Sequence, residues 1–272
     1  MSKDLHTGEC DKGEIRHQKV TRYVTPLREG GSLPALAEAD DGFRYVVKFR
    51  GSGHGKKVLV AELIGAEVAR LAGLKVPEVV FLDLDEEFGQ TEADEEIQDL
   101  LKASRGLNLG LHFLNGSMTW DVAVNRTDAL TASMIVWIDA LLTNIDRTPR
   151  NTNMLLWNNE LWLIDHGASL YFHHSWKGWE KSMQSEFPYV KDHALLRDAA
   201  LLAEVDESMH RSISADDLCA IVDMVPDEWL DEPDSDITVE ERRRVYKTFL
   251  TTRFANSRKF TDHAIKVRKE LF

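Results

Sequence analysis

The side chains best suited to chemistry lie in one polar loop and in the two short apolar segments that follow it. Asp146 and Asn151 stand five residues apart in the loop, and Asp165 ends the second apolar segment in the sequence Asp-His-Gly. Phosphoryl transfer requires one carboxylate to position a hydroxyl, and an amide and a second carboxylate to hold Mg²⁺. Residues 143–167 therefore have two interpretations, a phosphotransfer centre or a capped loop followed by an ordinary hairpin.

Lys48 is a further candidate because it is the one charged residue in the apolar stretch 45–49. An unpaired charge is costly to bury, so this lysine either faces solvent on an edge strand or meets an anion. In a phosphotransferase, such a lysine reaches nucleotide phosphates and is oriented by a glutamate on the next helix. Helical periodicity does not separate Glu62 from Glu67 in that role. Glu62 shares its helix face with Gly65 and two alanines, which would let a neighbouring element approach closely.

Two glycine-containing segments could contact phosphate groups. Gly30, Gly31 and Ser32 join the first two expected strands, where free backbone N–H groups could cradle phosphates. Residues 51–55 form the second segment. Neither matches the dinucleotide or Walker spacing, so a flexible loop is the simpler interpretation of each when taken alone.

The elements around these residues divide the chain into two regions. We expect a flexible leader over residues 1–18, a strand-rich N-lobe over 19–115 and a mostly helical C-lobe over 116–272. Three N-lobe strands are expected to form an antiparallel meander, followed by one helix. The strands are expected at residues 20–27, 33–39 and 43–49, and the helix at 58–71.

The C-lobe pattern places a helix directly before the loop 143–153. Further helices are expected at about 193–203, 214–225 and 238–254, and residues 85–99 read as a solvated acidic loop. Asp192-His193 either caps the helix after it or contacts the loop. Arg147 and Arg150 either contact phosphate or substrate or are simply solvated.

Composition limits the functional class. The 272 residues are 43% apolar and 29% charged, as in globular proteins, and no apolar run approaches the length of a membrane helix. The net charge of −13 argues against non-specific binding to nucleic acid or anionic membranes. The polar N-terminus shows no signal peptide and the two cysteines are far apart, so we expect a cytoplasmic protein with free thiols.

The order of these parts resembles that of the HipA-like kinases and, more distantly, the phosphatidylinositol kinases. The resemblance covers about residues 20–200 and rests on four stretches, which are 45–48, 62–78, 144–151 and 164–167. It implies an α+β, two-lobed protein-kinase-like fold. The N-lobe would be a small antiparallel sheet plus one helix, and the C-lobe mostly helical. Asn-Ile-Asp and Asp-His-Gly replace the His-Arg-Asp and Asp-Phe-Gly of typical protein kinases, which places the chain with the atypical branch.

The resemblance also implies a role for each candidate. Lys48 would hold ATP phosphates and pair with Glu62 rather than Glu67. Asp146 would be the catalytic residue. Asn151 and Asp165 would bind Mg²⁺.

The nucleotide would lie between the lobes, with its adenine against a hinge at residues 111–115. Phe113 and Asn115 would contact it there, and the Gly30-Gly31-Ser32 turn would cover the phosphates. The expected activity is transfer of the ATP γ-phosphate to a hydroxyl, with protein Ser or Thr as acceptor. The alternatives are a nucleotide-binding pseudokinase and a small-molecule or lipid kinase.

Overall fold

A five-stranded barrel and a mostly helical region make up the chain. The computed structural model describes residues 14–27, 34–53, 55–85, 94–176, 178–232 and 235–272. The barrel strands are β1 (His17–Pro26), β2 (Ala35–Ala39), β3 (Arg44–Lys48), β4 (Val79–Leu84) and β5 (Gly106–His112). Two helices accompany them, α1 (Lys56–Leu71) between β3 and β4 and α2 (Glu95–Ala103) between β4 and β5.

A second, three-stranded sheet and the remaining helices follow the barrel. The sheet consists of β6 (Met118–Thr119), β7 (Met154–Trp157) and β8 (Glu160–Leu163). The helices are α3 (Ala129–Leu142), α4 (Trp179–Ser182), α5 (Leu202–Ser212), α6 (Ala215–Asp223), α7 (Asp227–Leu230), α8 (Val239–Ala255) and α9 (Arg258–Lys269). No helix in the described part of the chain is both long and apolar enough to cross a membrane.

The barrel has the strand order β1-β2-β3-β5-β4. The expected antiparallel meander of the first three strands is confirmed, and β5 pairs antiparallel with both β3 and β4. One seam of the barrel is parallel, because β4 closes the barrel by pairing with β1 in the same direction. Alternation of side chains indicates that a stretch is a strand but does not name its partner.

Successive side chains of β3 point to opposite faces of the strand, and this alternation decides which of them reach the candidate site. Tyr45 and Val47 are buried in a small core inside the barrel, together with residues of β1, β2 and β4. Val46 and Lys48 consequently point to the opposite face of the strand. A larger core joins α1 and the outer faces of β4 and β5 to the C-terminal helices.

The hairpin expected after the polar loop is confirmed. β7 pairs antiparallel with β8, and the turn between them is made by Asn158 and Asn159. Both residues have positive φ, at 51° and 61°, which is the conformation that a two-residue hairpin turn of the mirror-image type needs. Ser214 and Thr238 cap α6 and α8 through reciprocal side-chain and backbone hydrogen bonds, as their sequences indicate.

Several expected boundaries differ from the structure. The helix expected at 193–203 is wrong, since the chain forms turns there and α5 begins only at Leu202. The acidic loop expected at 85–99 is wrong at its end, because Asp94 caps α2 by accepting hydrogen bonds from the backbone N–H groups of Glu96 and Ile97. α9 was not anticipated. β1 begins at His17, two residues before the expected start of the N-lobe, and residues 1–13 of the leader lie outside the described residues.

Candidate active site

A buried ion pair holds the polar loop after α3. The carboxylate of Asp139 accepts hydrogen bonds from Arg147 Nε at 2.6 Å and from Asn144 Nδ2 at 2.9 Å. Burial alone would raise the pKa of Asp139, but the charge of Arg147 and the hydrogen bonds from His193 and Arg147 hold that pKa well below its usual range. Arg147 is fully buried, so neither role expected for it, phosphate contact or solvation, is correct. Its Nη1 donates to backbone carbonyls, including those of Asn153 and Ile164, and its Nη2 donates to Asp139 Oδ1.

Asp146 lies in the loop that this ion pair supports. Its backbone N–H donates to Asn144 Oδ1 at 3.1 Å, and its Oδ2 accepts from Asn151 Nδ2 at 2.7 Å and from Asn153 Nδ2 at 3.3 Å. Burial, and the nearby charge of Asp165, raise the pKa of Asp146 even though the two amides oppose the shift. The side chain is therefore a fixed hydrogen-bond acceptor whose basicity exceeds that of a solvated aspartate.

Asn151 is oriented by the same contact. Because its Nδ2 donates to Asp146, its Oδ1 is the atom left to coordinate a metal ion or to accept a hydrogen bond from a ligand. Arg150, its neighbour, is exposed.

Lys48 and Asp165 are 117 residues apart in the sequence and form an ion pair. Lys48 Nζ donates to Asp165 Oδ1 at 2.8 Å. The lysine side chain is almost fully buried, whereas the Asp165 side chain is 42% exposed. Burial lowers the pKa of Lys48, but the carboxylates of Glu62 and Asp165 outweigh it and the pKa is raised, so the lysine is a cation. Asp165 has φ of 55°, a left-handed conformation rarely adopted by residues other than glycine, asparagine and aspartate.

Glu62 lies behind Lys48 on α1 and is fully buried. The nearest ring nitrogen of His166, Nδ1, is 3.9 Å from Glu62 Oε1, and neither carboxylate oxygen has a hydrogen-bond partner within the described residues. Burial would raise the pKa of Glu62, but the charge of Lys48 holds it below the ordinary value. The lysine thus pairs directly with Asp165, while Glu62 contributes a buried negative charge beside it.

Gly65 explains why α1 can approach this closely. A Cβ atom at Gly65 would lie 2.4 Å from His166 Cβ, a separation that real atoms do not adopt. The neighbour that the small residues on this helix face admit is therefore the Asp-His-Gly segment itself. Gly167 is similarly close to α1, since a Cβ there would lie 2.7 Å from Val58 Cγ1.

A cleft of about 1,050 Å³ runs between the barrel and the helical region. Its lining includes Lys48, Phe113, Asn151 and Asp165, so these four expected site residues face one space. Asn115 is not among the lining residues, although Leu114 and Ser117 are, and the Asn115 carbonyl accepts a hydrogen bond from Trp157 Nε1 at 3.0 Å. The expected phosphate-binding turn of Gly30, Gly31 and Ser32 lies outside the described residues.

Three residues that support the site were not anticipated from the sequence, namely Asp139, Asn144 and Asn153. Asp139 carried a usable signal, since it is a lone carboxylate in the apolar stretch 137–142 and a buried charge needs a partner. For His193, the cap is wrong, and the contact with the loop is indirect because it runs through Asp139 on α3. His193 Nε2 lies 2.9 Å from Asp139 Oδ2, and no helix begins directly after this histidine, since the next one, α5, starts at Leu202.

Comparison with known proteins identifies the family. The model of the HipA-like kinase family matches residues 20–262, which is most of the chain. The chain belongs to the HipA-like kinase family. It is accordingly a kinase, and the expected family and enzyme class are confirmed. None of the curated proteins compared with this kinase matches it in sequence.

One solved structure shows that the fold is the expected one. CtkA, a proinflammatory kinase of Helicobacter pylori, is similar with a TM-score of 0.52 and 14% identity, over 94% of this chain and 98% of that one. A Golgi casein kinase with Mn/ADP bound matches at a TM-score of 0.47 and 12% identity, over 90% of this chain and 73% of that one. The similarity to CtkA confirms the α+β, kinase-like architecture.

Proposed function

We propose that this HipA-like kinase transfers the γ-phosphoryl group of ATP to a hydroxyl acceptor in a Mg²⁺-dependent reaction. The observation that carries the proposal is the 2.8 Å contact of Lys48 with Asp165 in the interlobe cleft. In this contact Lys48, a cation suited to bind phosphate, lies beside Asp165, a carboxylate suited to bind a metal ion. ATP would lie in this cleft, with Phe113 on the side of the hinge.

The oxygens present suit a hard cation such as Mg²⁺. Asn151 has its amide nitrogen bonded to Asp146 and its oxygen free to coordinate, and Asp165 offers a partly exposed carboxylate. No group of three or more His, Cys, Asp or Glu side chains suited to a metal occurs among the described residues. One amide and one carboxylate match the way Mg²⁺ is usually held, with phosphate oxygens and water completing its shell. Bound there, Mg²⁺ would neutralise charge on the transferred phosphoryl group.

The residues of the chain would divide the remaining work. Lys48 would hold ATP phosphates, and the buried carboxylate of Glu62 would keep that lysine charged. Asp146, fixed by Asn151 and Asn153, would accept a hydrogen bond from the acceptor hydroxyl and align it with the γ-phosphorus. Its raised pKa suits a group that takes up the hydroxyl proton as the bond to phosphorus forms.

We propose a protein Ser or Thr hydroxyl as the acceptor, as the resemblance to HipA-like kinases implies. The test is incubation with γ-labelled ATP, Mg²⁺ and a mixture of Ser- and Thr-containing peptides, followed by identification of the labelled residue. Asp146→Asn should lower transfer at least about a hundredfold, the typical contribution of such a group. Asp216→Asn, at an exposed position on α6, serves as the matched control and should transfer at the unchanged rate.

The alternatives give different results in the same experiment. A pseudokinase would gain thermal stability from ATP and Mg²⁺ but would label neither itself nor any acceptor. A small-molecule or lipid kinase would label those acceptors and leave the peptides unlabelled. Undiminished transfer by Asp146→Asn would remove Asp146 from the proposed mechanism.

A further inference from the structure

His193 lies where the chain that leaves the Asp-His-Gly segment returns to the catalytic loop. Its Nε2 is 2.9 Å from Asp139 Oδ2, and its Nδ1 accepts a hydrogen bond from the backbone N–H of Leu195 at 3.0 Å. A backbone N–H can only donate, so Nδ1 carries no proton and the ring proton lies on Nε2. The imidazole therefore donates to Asp139 and is held from both sides.

The contact reaches the ion pair that supports the catalytic loop. Asp139 Oδ2, to which His193 donates, also accepts from Arg147 Nε at 2.6 Å. The next residue, Ala194, donates its backbone N–H to the carbonyl of Arg147 at 2.9 Å. Residues 193 and 194 therefore contact both Asp139 and Arg147, the buried ion pair that holds the loop containing Asp146 in place.

The other end of the same segment is attached to the same helix. Shortly after Gly167, the backbone N–H of Leu170 donates to the carbonyl of Leu142 at 2.7 Å. Leu142 is the last residue of α3, and Asp139 lies one turn before it. The chain between the Asp-His-Gly segment and His193 is thus a loop with both ends held at the C-terminal end of α3.

A third contact holds the middle of the loop to this helix end. Arg253 Nε on α8 donates to the carbonyl of Ala140 at 2.9 Å. The Nη1 atom of the same side chain donates to the carbonyls of Ser182 and Ser185, also at 2.9 Å. Of these contacts, only that of His193 involves Asp139, which also bonds the catalytic loop directly.

We propose that His193 is a positioning residue for phosphoryl transfer. By donating to Asp139, it couples the loop that follows Gly167 to the position of Asp146. It touches no reacting atom and acts through Asp139 and Arg147. The inference rests on the proposed function, in which Asp146 aligns the acceptor hydroxyl.

Two conservative variants separate the two hydrogen bonds of His193. His193→Gln retains an N–H donor near the position of Nε2, whereas His193→Asn retains an acceptor near Nδ1 and loses the donor to Asp139. We expect His193→Asn to lower kcat about tenfold or more, with the KM for ATP changed less than about twofold, because misplaced catalytic groups slow chemistry more than binding. His193→Gln should retain about half of wild-type kcat or more.

Amide hydrogen exchange gives a readout that does not depend on activity. Peptides spanning residues 143–153 should exchange faster in His193→Asn than in His193→Gln or the wild type. His210→Gln is the matched control, because His210 bonds only Ser257 among the hydrogen bonds of the described residues and lies on α5. It should change neither kcat nor exchange in the loop.

The outcomes separate the inference from the proposed function. Equal kcat and equal loop exchange in the two His193 variants would overturn the inference. So would loss of kcat in the Gln variant alone, because the bond to Leu195 would then be the one that matters. Absence of phosphate transfer by the wild type would overturn the proposed function, while the exchange comparison would still decide whether His193 restrains the loop.

Discussion

Gly65→Ala should impair transfer more than it impairs folding. The new Cβ would lie 2.4 Å from His166 Cβ, and ordinary contact begins at 3.4 Å, so His166 must move by about 1 Å. His166 follows Asp165 directly, and Asp165 is held in a left-handed conformation that leaves its carboxylate beside Lys48. A 1 Å displacement of a catalytic group can cost about a hundredfold in rate.

The expected change in stability is smaller. Overpacking a filled core site typically costs about 1–3 kcal/mol, and replacing a helical glycine with alanine returns about 1 kcal/mol. The net loss should therefore be about 0–2 kcal/mol, which lowers the melting temperature by at most about 8 °C for a chain of this size. Thermal unfolding and initial rates of transfer from γ-labelled ATP measure the two effects separately.

Gly53→Ala is the control for this substitution. A Cβ at Gly53 would meet nothing within 4 Å, and the residue lies in a turn between β3 and α1. Its stability should equal that of the wild type. A Gly65→Ala variant with wild-type kcat would contradict the reasoning, since it would show that α1 and the Asp-His-Gly segment separate without disturbing Asp165.

Two other predictions concern the buried charges. Arg147→Met should lower the free energy of unfolding by about 3–5 kcal/mol, because it leaves the carboxylate of Asp139 buried and unpaired. In denaturant titrations the exposed Arg150→Met should differ from the wild type by less than about 0.5 kcal/mol, and an equal loss in both variants would refute the role of the pair. Glu62 has a lowered pKa in the folded chain, so its contribution is present above pH 4.5 and is lost as the pH falls toward the folded value. Glu62→Gln should therefore flatten the dependence of unfolding free energy on pH below 4.5, by at most about 1.4 kcal/mol per pH unit, and an unchanged slope would contradict the assignment.

The residues that could be predicted from the sequence are those that stand out in their local surroundings. Lys48 is a charge in an apolar strand, and Asp146 and Asn151 lie in a polar loop before a clear hairpin. Small residues beside Glu62 correctly indicated a close neighbour on that helix face. In each case the signal lies within a few residues of the feature it predicts.

The remaining features depend on contacts between distant residues. The partner of Lys48 is 117 residues away, and His193 lies 54 residues from Asp139. The local sequence pattern left two alternatives for His193, a helix cap and a contact with the loop. The helix expected after it was inferred from propensity, and the chain forms turns there instead. The parallel seam between β1 and β4 was hidden for the same reason, since pairing of distant strands leaves no periodicity in either one.

Asp165 is proposed to support Mg²⁺-dependent transfer of the γ-phosphoryl group of ATP. The most direct measurement is the rate of transfer from γ-labelled ATP by the wild type and by Asp165→Ala at saturating Mg²⁺, with thermal unfolding of both followed in parallel. We expect transfer by the wild type, its loss in Asp165→Ala and a closely similar melting temperature for the two. Transfer by Asp165→Ala at the wild-type rate would contradict the account.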